Sequence, residues 1–240
     1  MKRFYQAVTV KSEDAGEPEA GGWRVLLDGR GIKTACGNPQ IVPTRALAEA
    51  LAAEWAGQGE EINPSAFRFR DLADYAIDVA GPDRATVIAA VLRFAESDTL
   101  CYRAEPDEAL AERQREVWEP LLAKAEARWD VHFERISGVI HRPQPAATLV
   151  RMARVLEAQD SFTLAALHTL ASLAASLVIA LAAIAPGADA EALWNAANLE
   201  EDWQAELWGK DAEAETLRTR RLAEFAAAMR FAELARGGLR

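Results

Sequence analysis

The run Leu199-Glu200-Glu201-Asp202-Trp203-Gln204 sets three carboxylates and an indole side by side. Acids grouped this way serve one of two chemistries. Glu200 and Asp202 can act as general acid and base, or the acids can meet a protein partner beside aromatic anchors. The other reactive side chains are scattered. His132, His141 and His168 have no carboxylate three or four residues away on an evident shared face. His168 reads as a hydrogen-bonded core residue rather than a ligand. Cys36 and Cys101 lie far apart with no second ligand nearby, the pattern of ordinary reduced thiols. There is no phosphate-cradling loop, no Gly-rich dinucleotide turn, no Gly-x-Ser-x-Gly, no His-Glu-x-x-His and no Glu-x-x-His pair. The residues therefore name no catalytic site, no metal site and no cofactor.

The acids at 200–202 need a scaffold. The chain has 240 residues, half of them hydrophobic, with 27 Lys and Arg against 37 Asp and Glu, a net charge of −10. This suits one large domain or two small ones. So acidic a balance argues against nucleic acid and anionic membranes as partners. The N-terminus runs straight into an extended pattern with no apolar leader or Arg/Ser-rich transit segment, so the expected compartment is a bacterial cytoplasm.

Residues 4–10 alternate, as do Trp23, Val25 and Leu27; Asp28-Gly29-Arg30-Gly31 is a strong turn leading to a partner strand. The first forty residues predict a small antiparallel sheet. Thr44 is a good N-cap for a helix carrying Leu47, Leu51 and Trp55, where Trp55 packs the core or joins the two domains. After Asn63-Pro64 a helix lines Phe69, Leu72, Ala76 and Val79 on one face and Asp71, Asp74 and Asp78 on a solvated one. Gly81-Pro82 is the clearest break. It divides an N-terminal α+β domain, 1–81, from an all-α helical bundle, 82–240. In the bundle, one helix carries Leu110, Gln114, Val117, Leu121 and Ala125 inward and is kinked or broken by Pro120 near Glu119. Val131 to Ile140 looks extended.

Phe162 to Ile184 holds no charge and carries leucines at steps of three and four. It predicts one long apolar helix at the centre of the bundle, and not a membrane span: it is rich in alanine and lacks flanking Lys or Arg.

A helix over 189–208 then positions the acids. On one wheel Leu193, Ala196, Leu199, Trp203 and Leu207 face the core, and Glu200 falls inside their arc, where it needs a donor. An Arg of a neighbouring helix, or a functional contact, would supply it. Trp194, Glu201 and Trp208 are spaced by seven and stack on the opposite line. Outward tryptophans around an acid suit a protein interface or a dimer seam, unless another helix covers them.

The chain resembles the assembly chaperones of the F-type ATP synthase catalytic head that bind its alpha subunit, the ATP-twelve family of mitochondria and alphaproteobacteria. The matching pieces are Arg3-Phe4-Tyr5; Leu27-Asp28-Gly29-Arg30 with Lys33-Thr34; Val42-Pro43-Thr44 with Leu47-Ala48; Glu54-Trp55 with Gln58; Asp98-Thr99-Leu100-Cys101-Tyr102-Arg103; Gln114 with Trp118-Glu119-Pro120-Leu121; Ser176 with Ala180-Leu181-Ala182; and Leu199 to Gln204 with Trp208-Gly209. Phe67-Arg68 and Asp74-Tyr75 depart from the family pattern, where Met-Pro and Asn-Thr are usual. The resemblance implies a non-enzymatic holder of the unassembled alpha subunit that shields its beta-facing surface, monomeric when free. Glu201, Trp194, Trp208, Asp202 and Trp203 are then the expected partner contacts. Glu200, Asp98, Tyr102, Arg103 and Trp55 are the expected structural anchors, with Arg103 as a mate for Glu200 or Asp98. A structural scaffold or dimerisation module, and an acid–base enzyme, are the alternatives.

Overall fold

The computed structural model describes residues 1–13, 21–137, 142–209 and 211–237. The fold is α+β, a small antiparallel sheet with helices and a mostly helical remainder. It forms two compact units. The first comprises Met1–Arg84, Asp160–Ala166 and the residues from Ala227 on; the second comprises Ala85–Gln159 and Leu167–Ala226.

In the first unit, β1 (Val8–Glu13) pairs antiparallel with β2 (Gly22–Leu27) in the register Val8 to Leu27, Val10 to Val25. β2 also pairs with β3 (Arg30–Gly31) and β4 (Ile41–Val42). The β2–β3 turn forms because Asp28 and Gly29 take the left-handed region, φ 48° and 79°. Asp28 helps itself there: its carboxylate accepts the N–H groups of Gln6 and Ala7. α1 (Arg45–Ala56) begins at Thr44, whose Oγ1 accepts the Leu47 N–H at 3.1 Å. Leu47, Leu51 and Trp55 are buried along α1.

α2 (Arg68–Tyr75) continues into a wider π-turn, Ala76–Ala80. That turn resets the helix face, so Val79 is 41% exposed instead of lying with Leu72 and Ala76. The acids of this segment are not a solvated face. Asp74 is buried and accepts from Gln40 Nε2 at 2.5 Å and from the Ala35 N–H. Asp78 accepts from Thr34 Oγ1, Asn38 Nδ2 and the Cys36 N–H. The loop 34–40 carries several backbone and amide donors, and two carboxylates one helical turn apart satisfy them. Only Asp71 of the three is exposed.

The second unit is built on α3 (Arg84–Glu96, from Ala85 on), α4 (Ala109–Trp129), α5 (Ala146–Glu157), α6 (Ser161–Ala174, from Leu167), α7 (Leu177–Ala183), α8 (Ala190–Ala197), α9 (Leu199–Trp208) and α10 (Ala212–Ala235, to Ala226). A two-residue β5 (Tyr102–Arg103) pairs in parallel with β6 (Ile136–Ser137), which lies in the segment expected to be extended; residues 138–140 of that segment fall outside the described ones.

The single apolar helix fails here, and of the kink or break expected at Pro120 the break does not occur. The apolar rod is not one helix. Ala175 takes φ 48°, ends α6, and Ser176 starts α7 by accepting the Ile179 N–H. Among the described residues no helix is long and apolar enough to cross a membrane. Conversely, α4 runs unbroken through Pro120. Pro120 and Glu116, the residue four before it, are both exposed, so water can take up the carbonyl that loses its donor. The buried face of α4 is Gln114, Trp118, Leu122 and Ala125, leaving Val117 37% exposed.

Candidate functional site

The 189–208 segment is two helices. Asn198 takes φ −107°, ψ 20°, and its side-chain amide turns back to the Trp194 carbonyl at 2.7 Å. Asn competes with the helix ladder in this way. Asn198 also accepts the Asp202 N–H through its own carbonyl at 2.9 Å, so α9 starts on a new axis directly after α8 stops. A single wheel therefore misplaces its residues.

Trp194 does not face outward. It is 1% exposed, with its ring 5.6 Å from that of Phe225 on α10. The covering helix removes Trp194 from the surface, and with it the tryptophan line on which a dimer seam rests. Leu207, expected inward, is 59% exposed, and Trp208 is 78% exposed. Glu201 is exposed as expected; Asp202 and Trp203 are half-buried.

Glu200 does face inward and is half-buried, but its donor is Gln114 Nε2 at 2.6 Å, not an arginine. Burial raises the Glu200 carboxyl above the ordinary range, and the Gln114 hydrogen bond only partly opposes that. Arg103 is the mate of neither Glu200 nor Asp98. Its Nη2 meets Glu119 at 3.2 Å, its Nε donates to the Leu100 carbonyl, and its guanidinium lies over the Trp118 ring. Trp118 in turn donates through Nε1 to the Ala196 carbonyl at 2.7 Å, which fixes α8 against α4.

Two further arginines tie α9 down. Arg113 makes a two-pronged contact with Glu206 at 2.8 and 3.1 Å and lies 5.6 Å over the Trp203 ring. Arg218 of α10 reaches Asp202 at 2.6 Å and Asn195 at 3.0 Å. Two-pronged guanidinium–carboxylate pairs fix orientation as well as distance. The sequence carried no signal for Arg113 or Arg218, since their carboxylates lie on other helices. Gln114 did carry one: an amide on an apolar stripe must find partners.

Asp98 is fully buried. It accepts from the Leu100 N–H at 3.1 Å and the Val178 N–H at 3.0 Å, with the Ser176 hydroxyl and the Leu177 N–H as further donors. Burial pushes its carboxyl up to about 6 against those bonds. Tyr102, on β5, is half-buried. Trp55 is buried in the first unit between Tyr5 and Phe67, with ring centroids 5.6 and 4.5 Å away. Cys36 is exposed and Cys101 buried, both as free thiols.

A cleft of about 420 Å³ lies beside Asp202 and Arg218, but Glu200 does not line it. The two acids that an acid–base reaction would need are thus not brought together. What the geometry offers is a surface: an apolar helix end, Leu207-Trp208, beside carboxylates anchored from beneath.

The family model described as ATP12 chaperone protein matches residues 2–126. The structure of Atp12 from Paracoccus denitrificans is similar at a TM-score of 0.88 and 36% identity, covering 98% of each chain. That of a D202K mutant of P. denitrificans Atp12p gives 0.89 and 35%, covering 98% of this chain and 97% of the other. Protein atp12, mitochondrial, of Schizosaccharomyces pombe is 24% identical over 221 residues, 87% of this chain and 74% of that protein. This chain belongs to the ATP12 chaperone family.

Proposed function

We propose that the chain binds the unassembled alpha subunit of the F-type ATP synthase through the α9 end and covers the surface that will meet the beta subunit. Membership already makes it an ATP synthase assembly chaperone and not an enzyme; the client and the surface are our reading. Glu201, Asp202, Trp203 and Trp208 are the contact residues, while Trp194, Glu200, Asp98 and Arg103 support them from within. The chain acts as a monomer in a bacterial cytoplasm.

The observation that carries this is Trp208, 78% exposed next to Leu207 at 59%. Two large apolar side chains at the tip of a helix whose acids are held by Arg113 and Arg218 form an anchor with a polar rim. The helix is ordered before the client arrives, so binding spends little on ordering it.

The test is co-purification with separately expressed alpha and beta subunits. The parent should retain alpha, and Glu201→Lys and Trp208→Ala should each lose most of it with unchanged circular dichroism. Capture of beta in place of alpha, or equal retention by parent and both variants, would reject the reading.

A further inference from the structure

The first unit carries a groove that the α9 platform does not use. Phe4, Tyr5, Leu27, Ile32 and Trp55 line it, and it encloses about 540 Å³. Phe4 is 63% exposed with its ring set edge-on to Tyr5 at 5.3 Å, an aromatic left standing at the mouth. Trp55 is 8% exposed. Its carbonyl accepts the Tyr5 hydroxyl at 2.6 Å, yet its indole Nε1–H is buried with no acceptor among the described residues. Buried donors are nearly always satisfied; this one is out of reach of solvent on a residue of the groove wall, so an acceptor arriving with a ligand meets it once a neighbouring wall side chain shifts aside.

The rim is basic although the chain is acidic overall. Arg30 and Lys33 line the groove, both are exposed, and neither makes an ion pair among the described residues. The one carboxylate in the wall among the described residues, Asp28, accepts the Gln6 and Ala7 N–H groups. Arg30 lies on β3, an end strand of the sheet, so an extended segment running beside it finds unpaired main-chain groups.

We propose that this groove is a second docking site, for an extended acidic segment of the client polypeptide. An apolar side chain of that segment covers Phe4, a carboxylate meets Arg30 and Lys33, and a carbonyl or carboxylate oxygen accepts the Trp55 indole N–H. The site rests on the chaperone reading for its client but not for its chemistry.

The indole N–H itself is the reporter. The ¹⁵N-labelled full chain is titrated with an end-blocked heptapeptide of alternating valine and glutamate, and separately with its valine–lysine counterpart. Trp55→Phe serves only to assign the signal. The glutamate peptide should move the Trp55 indole resonance downfield and saturably, and Arg30→Glu/Lys33→Glu, exposed positions that leave the fold alone, should weaken this at least tenfold. No movement at millimolar peptide, equal movement with the lysine peptide, or movement driven by protein concentration without peptide would overturn the site. Loss of peptide binding with the alpha subunit still captured removes the groove alone; retained peptide binding without capture of alpha removes the client reading and leaves the groove.

Discussion

Gln114 and Glu200, 86 positions apart in the chain, share one hydrogen bond of 2.6 Å, and the same amide accepts the Ala104 N–H at 2.8 Å through its oxygen. Gln114 is fully buried, so it has no water to fall back on. Gln114→Leu leaves the Ala104 donor and the half-buried carboxylate without partners and should cost about 2–3 kcal/mol. Glu200→Ala removes the acceptor only, at a position solvent partly reaches, and should cost about 1 kcal/mol. Urea denaturation checks the order; a Glu200 variant less stable than the Gln114 variant would mean that the acid, not the amide, is the keystone.

Ala175 separates α6 from α7 with φ 48°, and its carbonyl accepts both the N–H and the hydroxyl of Thr99. A left-handed alanine is strained where glycine is not. Ala175→Gly should therefore stabilise the chain, by up to about 1 kcal/mol after the entropy glycine adds to the unfolded state. The measurement is a melting curve. A lower melting temperature would show that the alanine methyl contributes contacts outweighing the strain.

These two sites mark what the residues alone reveal. Local rules survive translation into three dimensions: Asp28-Gly29 turns the chain and Thr44 caps α1, because each acts within a few residues. Contacts set by distant partners do not. Thr44 also donates to the Leu234 carbonyl at 2.6 Å, which no local pattern announces. Asp74 and Asp78 read as solvated because nothing in their helix says that loop 34–40 folds onto them. The wheel placed Glu200 inward, since Glu200 directly follows Leu199 at the start of the same helix. It failed for Trp194 because it assumed one axis through Asn198, and it failed for the apolar rod because the break at Ala175 has no Gly or Pro to signal it. The carboxylates of α9 were visible; the arginines that aim them were not.

Asp78 governs Cys36. Its carboxylate bonds the turn around that residue and, by hydrogen bond first and by charge second, pushes the thiol above its ordinary range. Asp78→Ala removes both effects and loosens the turn. Cys36 should then be alkylated by iodoacetamide at pH 8 about two- to five-fold faster, since the thiolate is the nucleophile. Cys101 is buried, so the rate reports Cys36 alone. An unchanged rate would separate the thiol from the acid.

Asp98 makes the sharpest pH prediction. Burial lifts its folded-state carboxyl to about 6, above the ordinary value of about 4. The folded chain thus holds the proton more tightly than the unfolded chain does. A raised carboxyl contributes most to stability below the unfolded value, and that contribution declines as pH rises through 6. Asp98→Ala should be less stable than the parent at every pH, because the Leu100 and Val178 N–H groups lose their buried acceptor at a cost of about 2 kcal/mol or more. The gap between parent and variant should be widest at pH 4 and narrower at pH 7. Urea unfolding at the two pH values measures it. A gap that widens toward neutral pH would mean that the four donors outweigh burial and hold the carboxylate ionised, making Asp98 a fixed charge at the head of α7.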